Sequence, residues 1–279
     1  MLKIIFNKDI EQLAGLMADY IYEHLKNGDV DKFEYHKDLN IICIDWCDTL
    51  KPDEEPSQII ICFNSKDLFF ICENEQVLNT VKTTIESIKT SDNNNELILY
   101  RFFAKLLDGD TNVLEKLEDE IVALDDELLT TSNKDCAHEI IEFRRKLLSL
   151  KRYYEQLNKI FENLVENENS LIDDDALKYF RVLDSRVDRL FATVLNLQDY
   201  VTQLREAYQA NVDIELNNLM KTFTIVTSIF LPLSLLAGWY GMNLKMPEFQ
   251  WNYGYPIIIA TSVIIVFVMV IIFKKKKWF

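Results

Sequence analysis

Two long apolar runs lie near the C-terminus of this 279-residue chain, and the first ends in Tyr240-Gly241-Met242-Asn243. This string offers a neutral amide and main-chain carbonyls beside a glycine. Such groups make hydrogen bonds without carrying charge. No arrangement suited to catalysis competes with it. His24, His36 and His138 are scattered, and neither a nucleophile–base spacing nor a metal-ligand motif is apparent. No Gly-x-x-x-x-Gly-Lys-Ser/Thr string is present, so no nucleotide-driven pump is implied. An enzyme is therefore the most distant reading.

The elements around the string decide its meaning. Residues Thr222 to Tyr240 and Pro256 to Phe273 contain no Asp, Glu, Lys, Arg or His. Helices of about 18–20 apolar residues match a hydrocarbon core of roughly 30 Å. The alternative, two buried core helices of a soluble protein, is rare for helices apolar on every side in a chain of this size. Leu244 to Tyr255 joins the runs and holds Trp251, Tyr253 and Tyr255, rings that favour the headgroup region. Lys274 to Lys277 follow the second run and Lys221 precedes the first, which places both flanks in the cytosol. The expected protein is multi-pass in the cell membrane with both termini inside and Asn243 outside. The start of the chain has too short an apolar stretch for a signal peptide and soon reaches Asp9 and Glu11.

Net charge is −15, unevenly placed. From Lys221 onward there are six lysines and one acid, Glu248, so residues 1–220 carry −20. An acidic body on a basic membrane end argues against nucleic acid as a partner and suits cations, although solubility alone explains the acids equally well. Cys43, Cys47, Cys62, Cys72 and Cys136 form no C-x-x-C pair and read as small buried thiols.

Gly15, Gly28, Pro52, Pro56 and Gly109 punctuate the first 110 residues, whereas residues 110–231 contain neither glycine nor proline. The expected fold is α+β: a cytosolic α/β domain with a mixed sheet (1–110), an antiparallel helix pair (111–170) and a stalk helix (171–221). A two-helix membrane hairpin (222–241 and 256–273), its outer loop (242–255) and a basic tail (274–279) complete it. Strands are predicted at Leu2–Phe6, Ile41–Asp45, Gln58–Phe63 and Leu68–Cys72. Helices are predicted at Ile10–Leu25, Gln76–Ile88, Glu96–Leu107, Thr111–Leu129 and Ala137–Asn167, with Asp92 to Asn95 a loop. Phe180, Leu183, Val187, Leu190, Val194, Leu197, Val201, Leu204 and Tyr208 step by three and four, a heptad seam with no breaker before the first apolar run. One continuous helix from about Ala176 to Gly241 follows, roughly 100 Å long at 1.5 Å per residue. Its seam packs either on the preceding helix pair or on copies of the chain. Pro232 leaves the Ser228 carbonyl without a helical donor, giving either a kink or an oxygen facing a wet pore.

These residues carry a resemblance. Asn-Asn-Leu-Met-Lys at 217–221, Leu-Pro-Leu-Ser at 231–234, Ala-Gly-Trp-Tyr-Gly-Met-Asn at 237–243, Met-Pro-Glu at 246–248, Gly-Tyr-Pro at 254–256 and the final Lys-Lys-Lys-Lys-Trp-Phe resemble the CorA family of magnesium channels. A weaker likeness extends through 115–129 and 142–148, and none is evident in the first 40 residues. The resemblance implies a homopentamer with a funnel-shaped cytosolic domain that conducts hydrated Mg2+, and also Co2+ and Ni2+, under gating by cytosolic Mg2+. It assigns Gly241, Met242 and Asn243 to a selectivity filter and Asn217, Met220, Phe223, Thr227, Leu231 and Ser234 to the pore lining. Those positions also share one broad helical face. For Thr227 and Ser234 the alternative is hydroxyl bonding to their own helix. Asp184 and Asp188 are candidates for half of a regulatory Mg2+ site, while Glu206 and Glu248 are candidates for gathering cations at the two mouths.

Two positions depart from the family pattern: Phe223 is bulkier than the aliphatic expected there, and Leu231 replaces a methionine before the proline. Both bear on gating. A zinc transporter of the same fold usually departs at the middle residue of the signature, and Met242 does not. A reading of another class, a membrane-tethered coiled-coil sensor or scaffold without a pore, predicts that Gly241 and Asn243 tolerate change.

Overall fold

The computed structural model describes the chain except Asp29, residues 89–93, 131–135 and 244–252, Lys277, Phe279 and the side chains of Asn27, Leu129 and Thr130. Two compact units emerge, Met1–Arg205 and Glu206–Phe279.

The first unit is built on a five-stranded sheet: β1 (Leu2–Phe6), β2 (Phe33–Tyr35), β3 (Asn40–Trp46), β4 (Ser57–Phe63) and β5 (Leu68–Cys72). Strand order is β1-β5-β4-β3-β2. β1 runs parallel to β5, with Leu2 opposite Leu68, and all other pairs are antiparallel. The sheet is mixed, as expected. Its central strands are apolar without alternation because both faces are covered. Ile5, Ile41, Cys43, Ile60, Cys62, Phe69 and Ile71 face a cluster with Ile10, Leu13, Ile21 and Leu25. On the other side Phe70 meets Phe102 at 4.8 Å between ring centroids, and Phe103 meets Phe161 at 5.0 Å.

One predicted helix divides. In place of Ile10–Leu25 the chain forms a 3₁₀ segment, Asn7–Leu13, then α1, Asp19–Asn27. Gly15 between them has φ +79°, a left-handed conformation that glycine adopts without steric cost. The break lets Leu13 and Ile21 both enter the core. β2 was not anticipated, being only three residues long. The helices α2 (Glu75–Ser87) and α3 (Asn95–Leu106) start on asparagine caps. The Asn74 side chain accepts from the Val77 amide at 2.9 Å and that of Asn94 from the Glu96 amide at 2.9 Å. Such caps satisfy amides that a helix start leaves unpaired. The expected loop at Asp92–Asn95 thus supplies a cap and a first helical residue, while Asp92 and Asn93 lie outside the described residues.

Three longer helices complete the unit: α4 (Asp110–Thr130), α5 (Cys136–Glu166) and α6 (Asp174–Tyr240). Tyr154 on α5 donates to Asp110 at 3.0 Å, Gln198 on α6 to the Leu147 carbonyl at 3.3 Å, and Tyr200 on α6 to Asp125 at 3.0 Å. These contacts tie α4, α5 and α6 to one another. The seam from Phe180 to Leu204 is buried throughout by this packing within the chain, and Tyr208 is half-buried. Of the two partners considered for the seam, its own chain fills these turns. All five cysteines are buried, and burial pushes the thiols of Cys43, Cys47 and Cys72 up to about 11 and that of Cys62 up to about 12.

The second unit holds the rest of α6 and α7 (Gly254–Lys275). Both helices are long and apolar enough to cross a membrane.

Candidate functional site

α6 in the second unit has two unlike faces. Ile225 is 8% exposed, and Ser228, Ile229, Pro232, Leu233, Leu236 and Tyr240 are half-covered. At about 100° per residue these positions form one stripe. α7 has a matching stripe, with Gly254 and Phe273 buried and Ile258, Ser262, Ile265, Val266 and Met269 half-covered. Helices in a membrane bury such stripes on one another because packing, not water exclusion, holds them together.

Met220, Phe223, Thr227, Leu231, Ser234 and Gly241 fall on the opposite side of α6. All are exposed, Phe223 at 67% and Leu231 at 68%. Asn217 is exposed as well and lies toward the flank of this face. Thr222 and Thr224 return their hydroxyls to the carbonyls of Asn218 and Met220, at 3.1 and 2.8 Å. Thr227 and Ser234, the two hydroxyls on the exposed face, make no such bond, so their hydrogen-bonding capacity is open. Pro232 belongs to the half-covered stripe, which takes it away from the open face.

The signature follows directly. The Gly241 amide donates to the Ala237 carbonyl at 2.8 Å and the Met242 amide to the Trp239 carbonyl at 3.3 Å, closing the helix end. A Cβ on Gly241 would stand 2.7 Å from the Ala237 oxygen, a main-chain atom held within the helix. Only glycine permits this close approach. Met242 and Asn243 are exposed beyond it.

The acids are dispersed. Glu206 is exposed, and Glu248 lies outside the described residues. In the first unit Asp184 is half-buried and Asp188 exposed, one turn apart on α6. Burial, then Asp188, then Glu162 on α5 push the Asp184 carboxyl above the usual range. Glu162 was missed in the sequence, where 22 positions and the connection between α5 and α6 separate it from Asp184. Among the described residues no group of three acids, histidines or cysteines could by itself hold a metal ion.

Comparison with known proteins places this arrangement. Residues 7–275 match a family described as CorA-like Mg2+ transporter protein. The chain is 34% identical over 184 residues to the cobalt/magnesium transport protein CorA of Thermotoga maritima, covering 66% of this chain and 52% of that one. It therefore spans about half the length of that relative. The fold superposes on the complete CorA magnesium transporter of Methanocaldococcus jannaschii with a TM-score of 0.77 at 19% identity, covering 100% and 91% of the two chains. The ZntB cytoplasmic domain of Vibrio parahaemolyticus gives 0.53 at 15% identity, covering 71% and 80%.

Proposed function

This chain belongs to the CorA-like Mg2+ transporter family, and we propose on that premise that it passes hydrated Mg2+ across the cell membrane down its electrochemical gradient. The observation that carries the reading is the two-faced α6: the side away from the half-covered stripe is exposed and ends in Gly241-Met242-Asn243. Two membrane helices per chain cannot enclose water, so several copies must gather, and the family points to five. Met220, Phe223, Thr227, Leu231 and Ser234 then line the path, with Asn217 at its inner end and Asn243 at its outer end.

Magnesium dehydrates reluctantly and keeps several first-shell waters. A ring of Asn243 amides with the carbonyls beside them hydrogen-bonds those waters without stripping them. A ring of carboxylates would hold the ion more tightly and release it more slowly. An inside-negative potential supplies ~2.3 kcal/mol per charge per 100 mV, about twice that for a dication. Cytosolic Mg2+ held through water at Asp184 and Asp188, with Glu162 near, offsets their repulsion and favours a closed state when the cell is replete. Co2+ and Ni2+ pass by the same chemistry. Glu206 concentrates cations from the cytosol, and Glu248 does so from outside.

Growth of a cell lacking magnesium uptake tests the reading. The wild-type chain restores growth at low Mg2+, and Asn243→Ala does not. Equal rescue by both removes the filter role from Asn243.

A further inference from the structure

Two helices of the first unit carry opposite charge on their outward sides, and the transport reading uses neither. Residues 1–220 are strongly acidic, yet residues 141–152 of α5 hold five cations, Arg144, Arg145, Lys146, Lys151 and Arg152, against one acid, Glu142. Residues 115–127 of α4 hold seven acids against one cation, Lys116.

Each helix also turns large aliphatic side chains to water inside its charged stretch. On α4, Val122 is 41% exposed and stands one turn from the exposed Glu118 and Asp119. On α5, Ile141 is 48% and Leu148 44% exposed, with the exposed Arg144 and Arg145 between them. A groove of about 410 Å3 runs here, lined by Ile141, Arg144, Arg145 and Leu148 of α5 and by Asp199 and Thr202 of α6. Asp199 brings one carboxylate to it against two guanidinium groups. The side chains of Glu115, Asp119, Arg144 and Arg145 have no ion pair or hydrogen bond among the described residues.

A helix face that meets only water gains nothing from segregating its charge. Glu115 lies one turn from Glu118 and Asp119, and like charges at that spacing repel. An opposite face relieves the repulsion. The outward sides of α4 and α5 complement each other in this way, acids around one aliphatic and arginines around two. Both lie away from the residues their helices bury, such as Leu117 and Ile121 on α4 and Leu147 and Leu150 on α5. Within one molecule the two sides therefore do not meet, and between two molecules they can.

We propose that the α4 face around Val122 of one copy docks on the α5 face around Leu148 of the next, aliphatic on aliphatic, with the acids of α4 opposite the cations of α5. Each copy keeps one face of each kind open, so the contact repeats from copy to copy and closes into a ring where the rotation allows. The transport reading asks only that copies gather, and this surface stands on its own residues.

Disulfide trapping in the full-length chain tests the contact. Val122→Cys/Leu148→Cys, oxidised mildly in detergent micelles, gives linked dimers, trimers and larger species on a non-reducing gel. The native cysteines are buried and stay apart from the reaction. Val122→Cys or Leu148→Cys alone stays monomeric, and a mixture of the two single variants yields a dimer. That mixture also serves as the test if the double variant does not fold. Adding Arg144→Glu/Arg145→Glu slows the linkage about tenfold, as loss of electrostatic steering does, with thermal unfolding unchanged. Linkage within one chain only, or at the same rate with the arginines reversed, overturns the surface. A missing dimer from chains that still restore growth at low Mg2+ overturns it too, and leaves the transport reading standing.

Discussion

The same helix meets two different environments. Between Phe180 and Leu204, α6 repeats apolar residues at steps of three and four, and every one is buried within its own chain. Between Met220 and Gly241 it again presents a face at that spacing, and every residue of that face is exposed. Periodicity announces that a partner exists. It does not say whether the partner lies within the chain. The first pattern is answered inside the molecule, and the second needs other copies, lipid or water.

Truncations give the largest contrast. Leu190→Ala opens a cavity in the closed seam and should cost about 2–5 kcal/mol, read as a lower thermal midpoint of the first unit. Leu231→Ala removes a similar side chain from an exposed position and should change stability by no more than about 0.5 kcal/mol while altering the uptake rate. Equal destabilisation by the two would erase the distinction between the faces.

Gly238 and Gly241, both in the second unit, sharpen it next. Gly238 has open space where a Cβ would stand, whereas at Gly241 that atom meets the Ala237 carbonyl. Gly241→Ala should cost about 1–3 kcal/mol, as overpacking does. Gly238→Ala, inside a helix, should be neutral or stabilising by about 0.5–1 kcal/mol. Thermal unfolding in detergent reads both, and a reversed order would show that the helix does not end as described.

Much of this was legible beforehand. Four of the five strands, the long helices and the seam follow from runs and spacings. Gly15 was visible as punctuation, but that it splits a helix depends on Leu13 and Ile21 both reaching the core. β2 is too short to carry a pattern. The Gly241-Met242-Asn243 string was legible because its placement at the end of an apolar run is itself a sequence feature. Glu162 beside Asp184 was not. Their meeting depends on how one element slides against another, which packing sets.

The smallest effect concerns pH. Asp184 has its carboxyl raised above the ordinary 3.8 by burial, Asp188 and Glu162. A carboxyl raised in the folded state contributes stability that is present below the unfolded value and lost as pH rises through the folded one. Without divalent ions, the first unit should lose a little stability as pH rises from 4 toward neutrality, and Asp184→Asn should flatten that slope. Added Mg2+ should restore wild type and leave Asp184→Asn/Asp188→Asn unmoved. Denaturant midpoints across pH, with and without Mg2+, check both statements, and an Mg2+ effect of equal size on the double variant would remove the regulatory role.

Dye-reported Mg2+ uptake into proteoliposomes under an inside-negative potential tests the central claim most directly. Wild type should admit Mg2+ in preference to Zn2+, and Asn243→Ala should lose at least tenfold of the initial rate while reconstituting equally well. Uptake by Asn243→Ala at the wild-type rate, or none above empty vesicles from either protein, would contradict the claim that exposed faces of α6 join to pass a hydrated dication.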